Sequence, residues 1–293
     1  MKVPKLSIII LNHNTRDLLQ QCLKSISGPH QIIVVDNNSS DQSVDMVRKE
    51  FPNVKVLVRD VNDGYTRGNN AARHIATGEY VLFLNSDTKL YPETLSTMIN
   101  FMDSDPKIGI STCLTKLPNG KLYYACHRGF PSPWNSLSYF SGLSRLFPNL
   151  KLFNGYTLNC ESLDSIHEID ACSGTFLLTR RVLLNKINWF DEDYFSYGED
   201  IEMCYRVKKL GFKVMFNPKT EIIHYWGATS GLKSTSLNLT TATLENSEKW
   251  NKARYEAMKI FYDKHYRQEY SEFFRWLIFR AIEVTKILRR NQD

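Results

Sequence analysis

The sequence predicts an α/β protein with a mostly parallel central sheet, helices on both faces and a helical tail at the C-terminal end. Three observations carry this. Through roughly the first hundred residues, apolar runs rich in β-branched residues alternate with segments whose apolar residues fall at helical spacing. The runs are nearly continuous in apolar character, as parallel strands covered on both sides must be. Each run then leads into a tip rich in Asn and Asp, at the carboxyl edge where sheets of this kind bind ligands.

Taken in order, Leu6–Leu11 reads as the first strand, and Asp17–Ile26 as a helix with Leu18, Leu19, Cys22, Leu23 and Ile26 on one face. Gln31–Val35 is the second strand. Ser39, Ser40 and Asp41 offer an N-cap for a helix carrying Val44 and Val47. Val54–Val58 is the third strand, Gly68–Ala76 a helix rich in Asn and Ala, and Tyr80–Leu84 the fourth strand. Pro92 opens another helix, in a first-turn position where its missing N–H does no harm.

From about Thr115 to His167 the chain turns loop-rich and aromatic, broken by Pro131, Pro133 and Pro148. A loop packed by its own rings and a cover in contact with ligand both fit that composition. Order returns at Ile169 with a short strand, Gly174, an apolar strand and a helix start. The next helix carries Glu199, Asp200 and Glu202 at its start, Lys208 and Lys209 in its last turn and Gly211 as cap, matching the helix dipole. Two short strands are expected around Asn217–Pro218, the second ending at His224. Gly227–Ser247 is Ser/Thr-rich and reads as a mobile loop, and the tail from about Glu248 is helical in pattern. These features divide the chain into 1–112, 113–232 and 233–293.

The chain's 293 residues, 42% hydrophobic, suffice for one large α/β domain. No apolar run approaches the ~20 residues of a membrane span. Met1–Lys5 leads straight into a strand without a signal-peptide core, so a cytoplasmic start is expected. The six cysteines are scattered with no Cys-x-x-Cys pair, which argues against a zinc site or a disulfide framework. A net charge of +6 suits phosphorylated substrates or an anionic membrane surface, and no nucleic-acid partner is expected.

Four polar strand tips converge at one sheet edge: Asn12-His13-Asn14, Asp36-Asn37-Asn38, Asp60-Val61-Asn62-Asp63 and Asn85-Ser86-Asp87. Asn85 and Asp87, two apart on a strand leaving the core, face the same way. An amide oxygen and a carboxylate, with phosphate and water, suit Mg²⁺ or Mn²⁺; an Asx-turn closing the strand is the plain alternative. His224, followed by Tyr225-Trp226-Gly227, adds an imidazole that transition ions accept. Glu199 and Asp200 follow the acids Asp191, Glu192 and Asp193 and the aromatics Tyr194, Phe195 and Tyr197. Like charge and partial burial there would raise a carboxylate pKa toward useful basicity.

The segments "SIIILNHN", "IIVVDNNSSDQS", "NDGYTRGNNAA", "VLFLNSD", "SGTFLLTRR", "DEDYFSYGEDIEMCYRVKKLGFKV" and "IIHYWGATS" together resemble the inverting glycosyltransferases of family 2. More narrowly, they resemble the rhamnosyltransferase-like branch that builds bacterial surface polysaccharides. The resemblance implies a GT-A fold and transfer from a nucleotide-diphosphate sugar to a glycan or lipid-linked acceptor. The donor expected first is dTDP-rhamnose, with UDP-hexoses open. It implies Asp36 as the carboxylate that reads the base, with Asn12, Asn14 and Asn69 lining the nucleotide pocket beside Asn85 and Ser86. Asp87 and His224 would bind Mn²⁺ or Mg²⁺, Asp200 would be the general base, and Glu199 and Trp226 would touch sugar or acceptor. Residues 1–112 would then hold the donor and 113–232 the acceptor and catalytic groups, with 233–293 as loop and tail. Asn85 stands where many relatives carry aspartate, which removes one formal charge from the metal site.

The end of the tail places Phe273, Phe274, Leu277, Ile278, Ala281, Ile282 and Leu288 on one stripe flanked by Arg and Lys. An in-plane membrane helix and a helix packed on protein both fit; a lipid-linked acceptor would favour peripheral attachment at the inner face of the cell membrane. A dinucleotide-dependent oxidoreductase would need a glycine-rich turn where Asn12-His13-Asn14-Thr15 stands. An aspartyl phosphatase would need an aspartate in place of Asn85. A non-catalytic nucleotide-sugar binding module is the remaining rival.

Overall fold

The computed structural model describes residues 4–226 and 244–289; the Ser/Thr-rich stretch 227–243 and Arg290 lie outside the described residues. The first part runs β1 (Leu6–Asn12), α1 (Arg16–Ser25), β2 (Gln31–Asn37), α2 (Ser43–Glu50), β3 (Lys55–Arg59), α3 (Tyr65–Ala71) and β4 (Tyr80–Asn85). There follow β5 (Thr88–Leu90), α4 (Thr94–Ser104), β6 (Ile108–Lys116), α5 (Pro133–Phe140) and α6 (Leu143–Leu146). The rest comprises β7 (His167–Ile169), β8 (Phe176–Arg180), α7 (Arg181–Ile187), α8 (Glu199–Lys209), β9 (Lys213–His224), α9 (Leu244–His265) and α10 (Glu272–Arg289).

The strands form one nine-stranded sheet, ordered β3-β2-β1-β4-β8-β6-β9-β5, with β7 also on β9. β3, β2, β1 and β4 are parallel, as their continuous apolar character predicts. β8 runs antiparallel to β4 and β6, β9 parallel to β6, and β5 and β7 antiparallel to β9. Because side chains alternate across a strand, β1 feeds two cores. Ile9 packs on one face with Ile33, Val35, Val81 and Phe83. Ile8 and Ile10 pack on the other with Val34, Leu82 and Leu84. α1, α2 and α4 cover the second face through Leu19, Val47 and Met98. α7, α8 and the tail helices cover the first through Leu184, Cys204 and Phe261.

Several elements differ from the sequence expectation: β5 is an additional short strand, and α5 and α6 lie in the stretch expected to be loop. α3 begins at Tyr65 and ends at Ala71, ahead of the expected Gly68–Ala76. β6 is an additional strand whose last residues reach into the stretch expected to be loop. β9 is a single strand where two were expected. The break appears instead as a shift in its ladder with β6, from Cys113 opposite Asn217 to Leu114 opposite Glu221. Pro218 sits in that irregularity, where a residue without an N–H costs no ladder bond. Residues 244–247, expected in the loop, begin α9.

The segment carrying the Glu-Asp pair is anchored by aromatic packing. Phe83 meets Trp189 at 5.9 Å and Phe190 at 4.6 Å between ring centroids, contacts worth about 0.5–1.5 kcal/mol each beyond burial. Asn70 donates to the Phe190 carbonyl at 2.9 Å. Gly64 (φ +102°) passes so close to this segment that an added Cβ would sit 2.2 Å from the Phe195 carbonyl oxygen. α9 closes over α8: Phe261 meets Tyr205 at 5.6 Å, and Lys264 pairs with Asp191 and Asp193 at 2.5 Å each. α10 joins α9 through the Arg275–Asp263 and Lys259–Glu283 ion pairs, and leaves Phe273, Trp276, Leu277 and Val284 exposed.

Candidate active site

A cavity of about 650 Å³ opens at the carboxyl ends of β1, β2 and β4. Asn85, Ser86, Asp87, Glu199, Asp200, His224 and Trp226, all singled out from the sequence, line it together. Asn12, Asn14, Asp36 and Asn69 are not among its lining residues; His13, Asn37 and Asn62 are. The reason is local hydrogen bonding between tips. Asn12 donates to the Asp36 carboxylate at 2.8 Å, and the Ser39 N–H donates to the same carboxylate at 2.9 Å. Thr15 donates back to Asn12 at 2.7 Å. Asn14, in the left-handed region at φ 52°, accepts from the Ser40 N–H at 2.8 Å. Asn69 donates to the Tyr65 carbonyl at 2.9 Å within α3. These residues fix the shape of the tips from behind.

Asp87 and His224 are brought together by the sheet. β5 pairs with β9 so that Thr88 lies opposite His224, and the Tyr225 N–H donates to the Asp87 carbonyl at 2.9 Å. The His224 Nε2 stands 3.2 Å from Asp87 Oδ1, with the side chains 3% and 4% exposed. The Tyr123 ring lies edge-on to the imidazole at 4.6 Å. His224 Nδ1 is buried without a hydrogen-bond partner among the described residues.

This pair fits a divalent cation. Two adjacent ligands on an octahedral ion, each about 2.1 Å away, lie about 3 Å from one another. Among the described residues no group of three or more His, Cys, Asp or Glu could hold a metal. The remaining positions would therefore fall to substrate phosphates and water, the usual arrangement for Mg²⁺. Asn85 lines the same cavity with an amide oxygen.

Asp200 sits in the first turn of α8, 8% exposed. Its Oδ2 accepts from Arg128 at 2.6 Å and from the Gly174 N–H at 3.2 Å, while Oδ1 accepts from the Ile201 N–H at 2.7 Å. Gly174 is held in turn, since its carbonyl accepts from the Tyr65 hydroxyl at 2.9 Å. Glu199, 5% exposed, has a buried Oε2 with no hydrogen-bond partner among the described residues. Burial, and then the neighbouring Asp200 charge, push its pKa up to about 8, so near neutral pH it holds its proton.

The sequence reading misses Arg128 and Gly174 as partners of Asp200, and Tyr65, which holds Gly174. Arg128 is the one of these with a signal: a guanidinium within the apolar and aromatic stretch "YYACHRGF" needs a buried counter-charge. Trp226 faces Tyr123 and Tyr124 at 5.4 and 6.3 Å, so a wall of rings stands beside the carboxylates.

A family model described as Glycosyl transferase family 2 matches residues 7–186. Rhamnosyltransferase WbbL of Escherichia coli (strain K12) is 27% identical over 228 residues, 74% of this chain and 82% of the relative. The N-acetylglucosaminyl-diphospho-decaprenol L-rhamnosyltransferase of Mycobacterium tuberculosis (strain CDC 1551 / Oshkosh) is 25% identical over 244 residues, 77% of this chain and 78% of the relative. Among solved structures, the mannosyltransferase PcManGT from Pyrobaculum calidifontis, in complex with GDP-Man and Mn²⁺, superposes with a TM-score of 0.57 at 15% identity over 99% of this chain and 87% of that one. Residues 1–349 of S. aureus TarS in complex with UDP give 0.52 at 20% identity, over 88% and 72%. The structural likeness establishes the GT-A fold.

Proposed function

The chain belongs to glycosyl transferase family 2, and from that premise we propose that it is an inverting, metal-dependent enzyme of cell-surface polysaccharide synthesis. It moves a sugar from a nucleotide-diphosphate donor to a glycan or lipid-linked acceptor. The single observation that carries this reading is that Asp200 and the Asp87–His224 pair line one cavity.

Direct displacement at an anomeric carbon needs a base for the acceptor hydroxyl and a stabilised leaving group, and no enzyme nucleophile. Asp200 is the base. A carboxylate offers about four lone-pair sites; Arg128, Gly174 and Ile201 occupy three of them, and one stays available for the acceptor proton. As that proton moves to Asp200, the hydroxyl oxygen bonds to the anomeric carbon and the bond to the diphosphate oxygen breaks, with inversion. Arg128 and the Gly174 N–H hold the base in orientation. Asp87 and His224 would hold Mn²⁺ or Mg²⁺, which when bound would neutralise charge developing on the diphosphate. Glu199, protonated, donates a hydrogen bond to sugar or acceptor, and Trp226 supplies an apolar face.

Residues 1–112 serve the donor: Asn85 and Ser86 at the cavity wall, and Asn12, Asn14, Asp36 and Asn69 in the frame of the base pocket. Residues 113–232 serve acceptor and catalysis, and 233–293 form the tail. The rhamnosyltransferase relatives favour dTDP-rhamnose as donor; a UDP-hexose is the alternative. None of the described helices is long and apolar enough to cross a membrane. The exposed Phe273, Trp276 and Leu277 of α10, beside Arg275 and Arg280, suit lying in the surface of an anionic bilayer on the cytoplasmic side.

The test is turnover of a panel of dTDP- and UDP-sugars with Mn²⁺ or Mg²⁺. Turnover that Asp200→Asn abolishes while nucleotide binding persists supports the enzyme. Nucleotide binding with no turnover toward any acceptor refutes it in favour of a binding module.

A further inference from the structure

One residue of α3 grips both segments that hold Asp200 in place. Tyr65 follows Gly64 at the start of α3, and both line the cavity. The Tyr65 N–H donates to the Phe195 carbonyl at 2.7 Å, on the segment that leads into α8. Its hydroxyl donates to the Gly174 carbonyl at 2.9 Å, just ahead of β8. The grip is braced along α3: Thr66 donates to the Tyr194 carbonyl, and the Phe190 N–H donates to Asn70 at 3.1 Å. The Tyr65 ring meets Phe190 edge-on at 5.7 Å between centroids.

Gly174 relays this grip to the carboxylate. Its carbonyl takes the Tyr65 hydroxyl while its N–H, in the preceding peptide unit, donates to Asp200 Oδ2 at 3.2 Å. An added Cβ here would sit 2.5 Å from the Tyr65 hydroxyl oxygen, so the close approach calls for glycine. A glycine turns readily about both backbone angles, so its partners must keep the N–H on target. That bond is already at the long end of the ordinary range, and a small turn of Gly174 breaks it. Asp200 Oδ2 would then keep only Arg128, and the carboxylate would follow the guanidinium.

We propose that Tyr65 is a positioning residue for the transfer step, its hydroxyl acting through the Gly174 turn to keep Asp200 aimed at the acceptor hydroxyl. This rests on the reading of Asp200 as base. Proton transfer needs the accepting lone pair in line with the hydroxyl, and a misplacement of about 1 Å costs up to about a hundredfold in rate. The link runs through the backbone of Gly174 and not onto sugar or nucleotide. Its loss therefore falls on kcat and spares substrate affinity.

The experiment uses the full chain and Tyr65→Phe, which removes the hydroxyl and keeps the ring on Phe190. The expected result is a kcat for transfer about tenfold lower, with donor and acceptor KM within about twofold of wild type. Hydrogen–deuterium exchange of the 172–176 segment, measured without substrate, should rise by about fivefold or more while α8 stays as protected as before. Gly174→Ala disturbs the same link from its other end. The double variant should then lose no more than the worse single one, because both act on one contact. An unchanged kcat, or unchanged exchange at 172–176, overturns the proposal. So does a raised KM at intact kcat, or a double-variant loss equal to the product of the two single ones, since either would place the hydroxyl on substrate. Asp200→Asn separates the two readings. Full turnover in that variant refutes the base, whereas full turnover in Tyr65→Phe beside an inactive Asp200→Asn refutes only the positioning role.

Discussion

Glu199 makes stability and pH a direct test of the site. Its carboxyl is buried beside Asp200 and its pKa is raised from 4.5 to about 8. The folded chain therefore binds a proton that the unfolded chain releases between those two values. The stabilisation is fully present below pH 4.5, declines as pH rises through the window and stops declining above about 8. Across the whole window the gap corresponds to roughly 5 kcal/mol at most. Between pH 6 and pH 8 the linkage relation gives a loss of about 2 kcal/mol. Glu199→Gln keeps the shape of the protonated acid and cannot ionise, so it removes this slope. The assay is urea unfolding of wild type and Glu199→Gln at both pH values and fixed ionic strength. Wild type should lose about 2 kcal/mol more than the variant. Parallel pH dependence of the two proteins would show that Glu199 is ionised in the fold, and the argument for a neutral hydrogen-bond donor would fall with it.

Other consequences follow from the same geometry. Arg128→Met should destabilise the fold by about 3–5 kcal/mol in urea, because Asp200 is left buried without its cation; adding Asp200→Asn should restore a large part of that loss. Asp87→Asn and His224→Ala should each raise the Mn²⁺ concentration for half-maximal turnover by roughly 10–100-fold, and EDTA should stop the wild-type reaction. Gly64→Ala should cost about 2 kcal/mol or more, since the new methyl meets the Phe195 carbonyl; turnover should fall as well, because that segment leads into Glu199 and Asp200.

Much of this architecture was legible because it depends on local periodicity. β1, β2 and β4 are continuous apolar runs, and the alternation of Ile8, Ile9 and Ile10 between two cores is the expected parity of a strand. Asp87, His224 and the Glu199–Asp200 pair stand at or beside element ends, and all four line one cavity. What could not be read depended on distant partners. β6 contains buried Ser111 and Thr112, which read as polar; Thr112 is tolerated because its hydroxyl donates to the Phe176 carbonyl at 2.9 Å. Arg128 finds Asp200 across 72 residues of chain. Arg254 reaches the cavity only because α9 folds back over α8. Asn12 and Asp36 look alike to their neighbours in the tips, and only the bond between them determines that they stand behind the cavity wall.

The rung that sets Thr88 opposite His224 has a consequence for biosynthesis. A ribosome delivers Asp87 early and His224 late, and the two meet only when β9 adds beside β6 and β5. Until then a growing chain can shape the tips of β1, β2 and β4 but cannot set Asp87 beside His224. The contact between these two side chains arrives only with the last strand of the sheet.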